Sequence, residues 1–427
     1  MRLPRLPREN RRTWVAAIAL VVTAIVVAGA AVHELTKQKP TLNKSVAFNN
    51  KGSNVTKVTS KKAANTFLWP IYGLNDARTR VFDGPRDLKP PFKTAWKLSG
   101  NAPLEFPPDI SGNVMYFMDD HASVNKVNLK TGHRYWRKHV GVWSAASPAL
   151  DPKAHLLFVP VLSLTQDSPG NGQFVAMSMK TGNIVWKDPL PSGSESSPLV
   201  WHGNVYFGDS GGTVHAVNAL TGKQVWEFPT DGPEKGGPTL SKGILYFGNY
   251  AGQLFAVNAT TGKQIWEASP GGTVYASPTV AYGRVYVGST NGFMYSYSAK
   301  TGALGWSIDT GNYVYSSAAA DTVPKLGATI YFGSYTGTAY AVNAASGHID
   351  WSENLGGDHP SISGAASIVN NVVYFSGVYH GLTKGYDVST GKQVFSYPDG
   401  AYTSTIATPR AVYLMGHYTL YELLPTK

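Results

Sequence analysis

The chain contains no cysteine. That excludes disulfides, thiolate nucleophiles, thiolate metal sites and a lipid attached through an amino-terminal cysteine. Charge is also sparse: Asp, Glu, Lys and Arg make up 15% of 427 residues. The formal charge of +11 is misleading, because it is confined to one end. Residues 1–66 carry 12 Lys and Arg against Glu9 and Glu34, which leaves 25 basic and 24 acidic residues over the rest. A body with a net charge of +1 gives little support to nucleic-acid binding, which is not expected.

Long apolar runs are equally scarce, with a single exception at residues 14–32, WVAAIALVVTAIVVAGAAV. Nineteen uncharged residues are just long enough to span a bilayer as a helix. Arg2, Arg5, Arg8, Arg11 and Arg12 precede the run, so the positive-inside rule keeps the amino terminus in the cytoplasm and exports the chain beyond residue 32. Ala28-Gly29-Ala30 also fits a signal-peptidase site, and a cleaved signal peptide is the rival reading. The expected organisation is a cytoplasmic basic segment (1–13), a transmembrane signal-anchor (14–32), a disordered Lys/Ser/Thr-rich linker (33–66) and a folded domain (67–427) on the extracytoplasmic side. Its partners would be the cytoplasmic membrane, through 14–32, and an envelope protein or saccharide. A monomer is expected.

What the chain has in abundance is repetition. TGKQVWEF at 221–228 returns as TGKQIWEA at 261–268, and weaker copies keep the phase. Thr-Gly or Ser-Gly begins at residues 131, 181, 221, 261, 301, 346 and 390, with an aromatic five residues on: Trp136, Trp186, Trp226, Trp266, Trp306, Trp351 and Phe395. An Asn, Asp or Ser stands three residues before each pair, as a side chain that can bond the backbone of a tight turn, while Gly supplies a positive φ. Alternating runs such as NVYFG, ILYFG, RVYVG, TIYFG and VVYFS precede the turns and read as half-buried strands. Short strands such as SSPLV and ASPTV lie further upstream. Four strands per unit of about 40 residues is the period of a β-propeller blade.

The central strand occurs eight times, but the chain stops before an eighth Trp strand can come after it. TAWKL at 94–98, with Trp96 placed 40 residues before Trp136, supplies the missing strand. The expectation is an all-β, eight-bladed propeller of four-stranded antiparallel blades, closed by an amino-terminal strand that leaves no unpaired edge.

The unit of Asn/Asp-x-x-Thr-Gly followed by Trp, after a VYFG-type strand, resembles the pyrroloquinoline-quinone-like propeller repeat over about 94–427. That family includes quinoprotein alcohol dehydrogenases and the non-catalytic propeller subunit of the outer-membrane β-barrel assembly machinery. WPIYGLNDARTRV at 69–81 looks like the segment that leads into the first blade in such proteins, which implies structural roles for Trp69, Tyr72 and Arg80. The dehydrogenases of the family also carry a vicinal Cys pair, a calcium held by carboxylate and amide ligands, and a catalytic Asp. This chain has no Cys, and no local motif matches the calcium ligands. The resemblance therefore implies a non-catalytic surface member without a cofactor, with a quinone- and calcium-dependent dehydrogenase or a quinone-binding sensor as the alternative.

GDSGG at 208–212 reproduces the nucleophile segment of trypsin-like proteases, but it falls on a hairpin turn where other blades have GNYAG, GSTNG and GSYTG. Asp119-Asp120-His121 and Asp358-His359 are two separate fragments of the kind that hold metals, and as isolated clusters on different blades they read as loop tips. A more specific signal comes from aligning the blades on the Pro of SSPLV. Three places earlier stand Glu105, Ala145, Glu195, Lys235, Tyr275, Tyr315, Ser363 and Tyr402, chemically varied where their neighbours are small. Those positions should ring one mouth of the central channel and form a ligand- or partner-reading surface, with Trp143 extending its rim. The competing expectation is that they satisfy one another around a water-filled channel.

Overall fold

The central run of each repeat is apolar on both faces because each blade has a neighbouring blade on either side. In Asn204–Gly208 the side chains of Val205, Tyr206 and Phe207 are completely buried. The computed structural model describes residues 40–50, 56–57, 66–166, 171–357, 360–378, 381–400, 402 and 405–426. Eight antiparallel blades succeed one another in chain order: 109–139, 149–190, 199–229, 239–268, 279–309, 319–354, 367–397 and finally 406–425 with 92–99. We number them 1 to 8. Blade 8 takes its outer strand from the start of the domain, with Phe92–Ser99 pairing antiparallel to Thr419–Pro425 and Trp96 opposite Glu422. The closure expected from TAWKL is thus present and extends two residues to the amino-terminal side and one beyond. The anchor at 14–32 lies outside the described residues; among those described, no helix is long and apolar enough to cross a membrane.

The repeated Thr-Gly-x-x-x-Trp stretch joins blades as well as turning a hairpin. Asn218 Oδ1 accepts the backbone N–H groups of Leu220 (3.1 Å) and Thr221 (3.0 Å), as the turn reading requires. Gly222 has a φ of +70°, and a Cβ placed on it would meet the Trp186 ring of the preceding blade at 2.8 Å. The glycine is needed twice, for its dihedral and for the ring that lies against it. Each indole also donates to a carbonyl of the next blade: Trp186 to Ala219 (3.0 Å), Trp226 to Ala259 (2.9 Å), Trp266 to Ala299 (3.1 Å), Trp306 to Ala344 (2.9 Å) and Trp351 to Val388 (3.0 Å). Trp136 does the same to Lys180 O (3.2 Å), and Trp96 carries the pattern across the seam to Leu129 O (3.0 Å). Phe395 has no N–H to donate and packs against Phe92, Tyr374 and Tyr397. The blade it faces lacks a Thr-Gly turn, because there the outer strand comes from elsewhere in the chain.

The channel is not an open, water-filled tube. Residues 68–83 run around its inner wall and bond to one blade after another. Trp69 pairs with Ile110 of blade 1, and Ile71 bridges Ala149 of blade 2. The carbonyls of Asp76, Ala77 and Thr79 accept from Leu240, Val280 and Ala320 of blades 4, 5 and 6. Val81 and Phe82 then pair in parallel with Ile368 and Val369 of blade 7. Arg78 and Arg80 fill the space inside with almost no exposure (0% and 2%). Arg78 donates to the carbonyls of Pro238 (3.0 Å), Tyr72 (2.6 Å) and Ser197 (2.9 Å), which fixes three segments around one guanidinium.

The expected disordered linker is a correction for part of its length. Thr41 and Leu42 pair with Ser307 and Trp306, adding a fifth strand at the outer edge of blade 5. Val46 is buried, and the carbonyls of Val46 (2.9 Å) and Ala47 (3.4 Å) accept from the buried Arg284, whose guanidinium lies over Phe48. Thr56 and Lys57 pair in parallel with Phe82 and Asp83. Composition hid this, because a polar, Lys-rich stretch can still add a strand wherever a sheet edge offers unpaired backbone groups.

Candidate functional site

Every ring position named from sequence lies four residues before the first residue of its blade's inner strand. These loops open at one mouth, where inner strands begin and the loops after the second strands return. Six of the eight line one cavity of about 270 Å³: Glu105, Lys235, Tyr275, Tyr315, Ser363 and Tyr402. Glu195 joins them through an ion pair with Lys235. Ala145 does not line the cavity, and neither does Trp143, which is 42% exposed and packs edge-on against His121 at 5.8 Å. Trp143 stands apart because its backbone bridges to Ser163 within its own blade, which turns the side chain outward.

The floor is formed by Tyr72 and Phe106. Arg78 and Arg80 lie over the Tyr72 ring, at 5.4 and 4.8 Å from its centre, so the channel-filling segment also forms the base of the site. Part of the lining is formed by Tyr275, Tyr315 and Tyr335, and Tyr250, itself off the lining, packs on Tyr275 to extend them into an arc. Ring centres of Tyr250 and Tyr275, Tyr275 and Tyr315, and Tyr315 and Tyr335 are 4.5, 4.5 and 4.7 Å apart, with the rings inclined at 57–75° to one another. Tyr313 continues the arc toward solvent and is 45% exposed. The ring alignment missed Tyr250 and Tyr335, although the signal was present. They occupy the hairpin position of GNYAG and GSYTG that Ser210 holds in GDSGG.

Glu105 is the carboxylate among the described residues of the lining. Burial raises Glu105; Lys235 opposes this and Glu195 adds to it. Asp120 is pushed up to about 8, mainly by burial, with Glu105, Asp119 and Glu195 contributing. In the channel, burial pushes Glu234 up to about 7 and holds Asp109 well above the carboxylate range, Arg78 opposing in both cases. The folded form therefore keeps protons that the unfolded chain releases near pH 4. Stability from these groups is fully present below about pH 4 and is lost as pH rises through about 7 to 8. The melting temperature is expected to fall between about pH 5.5 and 8.5, and Asp120→Asn with Glu234→Gln should flatten that slope. A melting temperature that rises over this range would contradict the reading.

The other sequence candidates do different work. Asp209 Oδ1 accepts the N–H groups of Gly211 (2.9 Å) and Thr213 (2.8 Å), and its Oδ2 bonds His215 Nε2 at 3.0 Å. The imidazole beside GDSGG is thus bonded to the turn aspartate. Asp119 bonds Ser123 N–H and Arg137, while Asp358-His359 lies outside the described residues.

A family model described as outer membrane protein assembly factor BamB matches residues 92–208, 120–235 and 210–422. The chain belongs to this family. Among solved structures it is similar to BamB from Moraxella catarrhalis, at 16% identity and a TM-score of 0.60, covering 78% of this chain and all of that one. It is similar also to a quinohemoprotein alcohol dehydrogenase from Comamonas testosteroni, at 15% identity and a TM-score of 0.66, covering 85% and 81%. A europium-containing methanol dehydrogenase gives 15% identity and 0.65, covering 84% and 98%. No curated protein matches the chain. At these identities the neighbours show the fold, and the BamB and dehydrogenase members share it.

A quinone with calcium does not fit the donor set at the mouth of this BamB-family propeller. Glu195 is tied to Lys235, and Glu105 is the sole carboxylate among the described residues that line the cavity. Among the described residues no three of His, Asp and Glu converge as a metal site. The tyrosine rings are mutually inclined and offer no pair of parallel surfaces for a planar cofactor.

Proposed function

We propose that the chain is a non-catalytic binding module of the cell envelope, tethered through 14–32, that docks a protein partner at the mouth carrying Glu105, Lys235, Tyr275 and Tyr315. The observation that carries this reading is the cavity itself. Eight equivalent positions of a repeating scaffold are chemically different, and six of them meet at one concave surface with Tyr313 on its rim. Tyrosine-rich concave surfaces favour protein contacts, because a large rigid ring gives contact area at low entropic cost. A saccharide platform needs a flat exposed ring face, and the inclined arc does not supply one.

The dehydrogenase neighbours support a second reading, a quinone enzyme, which the donor set argues against. A photo-cross-linking residue at Tyr313 is expected to capture one discrete protein in cells. The same residue at Val225, exposed on the outer strand of blade 3, should not. Cross-linking at Val225 alone would overturn the proposal, as would stoichiometric retention of quinone with calcium-dependent alcohol oxidation.

A further inference from the structure

We infer that the group received by this mouth is a cation on an alkyl stem, a guanidinium or an ammonium, held between the tyrosine arc and Glu105. This deepens the reading of the mouth as a docking site and rests on it.

The argument starts from shape. Tyr275, Tyr315 and Tyr335 line the cavity, packed on one another at centre distances of 4.5–4.7 Å with inclined planes, so the wall turns a succession of ring faces and edges toward the space in front of it. Ring faces carry negative quadrupole charge and attract a cation within about 6 Å. The site already shows this preference: Lys235 Nζ lies 5.9 Å from the Tyr275 centre, and two guanidinium groups lie against Tyr72 from within the channel. A compact cation can touch several inclined faces at once, whereas a flat ligand can touch one.

Charge points the same way. Lys235, the one basic side chain among the described residues of the lining, is ion-paired with Glu195. Glu105 lines the same cavity and has neither a hydrogen bond nor an ion pair among the described residues. Asp120 is close enough for Glu105 and Glu195 to perturb it. One lysine thus serves two carboxylates, Glu195 by an ion pair and Glu105 at longer range, next to rings that favour positive charge. A half-buried carboxylate that shares its counter-ion with a second acid is under-compensated, and an incoming cation supplies the missing charge. A volume of about 270 Å³ accommodates the end of one side chain and not a folded element, so the partner contributes a protruding residue and makes its remaining contacts with the rim.

The chemistry has two sources, an Arg or Lys side chain or a free amine. The probes are a capped Gly-Arg-Gly peptide, its Gly-citrulline-Gly twin, which has nearly the same shape without charge, a capped Gly-Lys-Gly peptide, and spermidine. Binding to the purified propeller is measured by saturation-transfer NMR and calorimetry. The arginine peptide is expected to saturate and to bind at least tenfold more tightly than the citrulline peptide. Glu105→Gln should weaken it at least tenfold, Tyr275→Ala should do the same, and Tyr275→Phe should retain most of the affinity. Thermal melts confirm that each variant is folded. Saturation by spermidine with no binding of either charged peptide supports the cation site but places its source in a free amine. Equal binding of the arginine and citrulline peptides overturns the inference, as does the absence of saturable binding by every cationic probe. If that happens while cross-linking at Tyr313 persists, the cation inference fails and the docking reading stands.

Discussion

Removing residues 92–99 is expected to abolish cooperative unfolding of the propeller and to drive it into aggregates. The deletion strips blade 8 of its outer strand and exposes Thr419–Pro425 as an open edge, which is a template for pairing with other chains. It also removes the Trp96 indole from Leu129 O, the one indole link that spans the seam between the two ends of the domain. Burial of the Trp96 ring contributes on the order of 2 kcal/mol, and each lost strand hydrogen bond adds about 0.5–1.5 kcal/mol. Against a total stability of about 5–15 kcal/mol, the sum is disabling. Trp96→Ala, which keeps the strand, should give a folded protein with a lower melting temperature. A deletion variant that melts like the parent would show that the ring does not depend on this closure.

The second large effect is expected from Arg78→Ala. That guanidinium has no exposure and bonds carbonyls of Pro238, Tyr72 and Ser197. It also partly offsets the rise that burial imposes on Asp109 and Glu234. Breaking such an arrangement from one side costs about 3–5 kcal/mol, because partners remain buried without compensation. In a domain of this size that corresponds to a fall in melting temperature of about 4–7 °C. Arg78→Lys should recover little, since an ammonium cannot reproduce a planar fork directed at three fixed acceptors. A melting temperature within about 2 °C of the parent would mean that the channel segment is not held by this residue.

The architecture was legible because its signals are periodic and local. Thr-Gly-x-x-x-Trp fixes the phase of the blades, and a missing copy at one end with a spare Trp96 at the other shows where the ring closes. Half of what the motif does was not legible. That Gly222 receives the Trp186 ring, and that Trp186 bonds Ala219 O, are relations between neighbouring repeats, which a reading within one repeat does not contain. The cavity was legible in part for the same reason. Glu105, Lys235, Tyr275 and Tyr315 share a register with the inner strands, so alignment of the repeats found them. Tyr72, Phe106, Tyr250 and Tyr335 arrive from other registers and other loops, and only the closed ring brings them together. Trp143 is exposed and lies outside the cavity lining, and proximity in sequence to Ala145 does not fix where its side chain goes. The segment 40–50 failed because its composition describes a solvated chain, while its fate is set by an unpaired edge on blade 5 and by Arg284.

The segment at the centre of the ring is synthesised before any blade that surrounds it. Val81 waits for Ile368, 287 residues later, and Ala77 and Thr79 wait for blades 5 and 6. Contacts so distant in sequence make folding slow. They also impose an order, in which the propeller is wound onto an axle that leaves the ribosome first. Until blade 7 has arrived the axle holds an incomplete circle, and the paired guanidinium groups of Arg78 and Arg80 still face water. A nascent or stalled chain therefore exposes charge at its centre and bare sheet edges at its growing end, and both are covered only when the last strand meets residues 92–99.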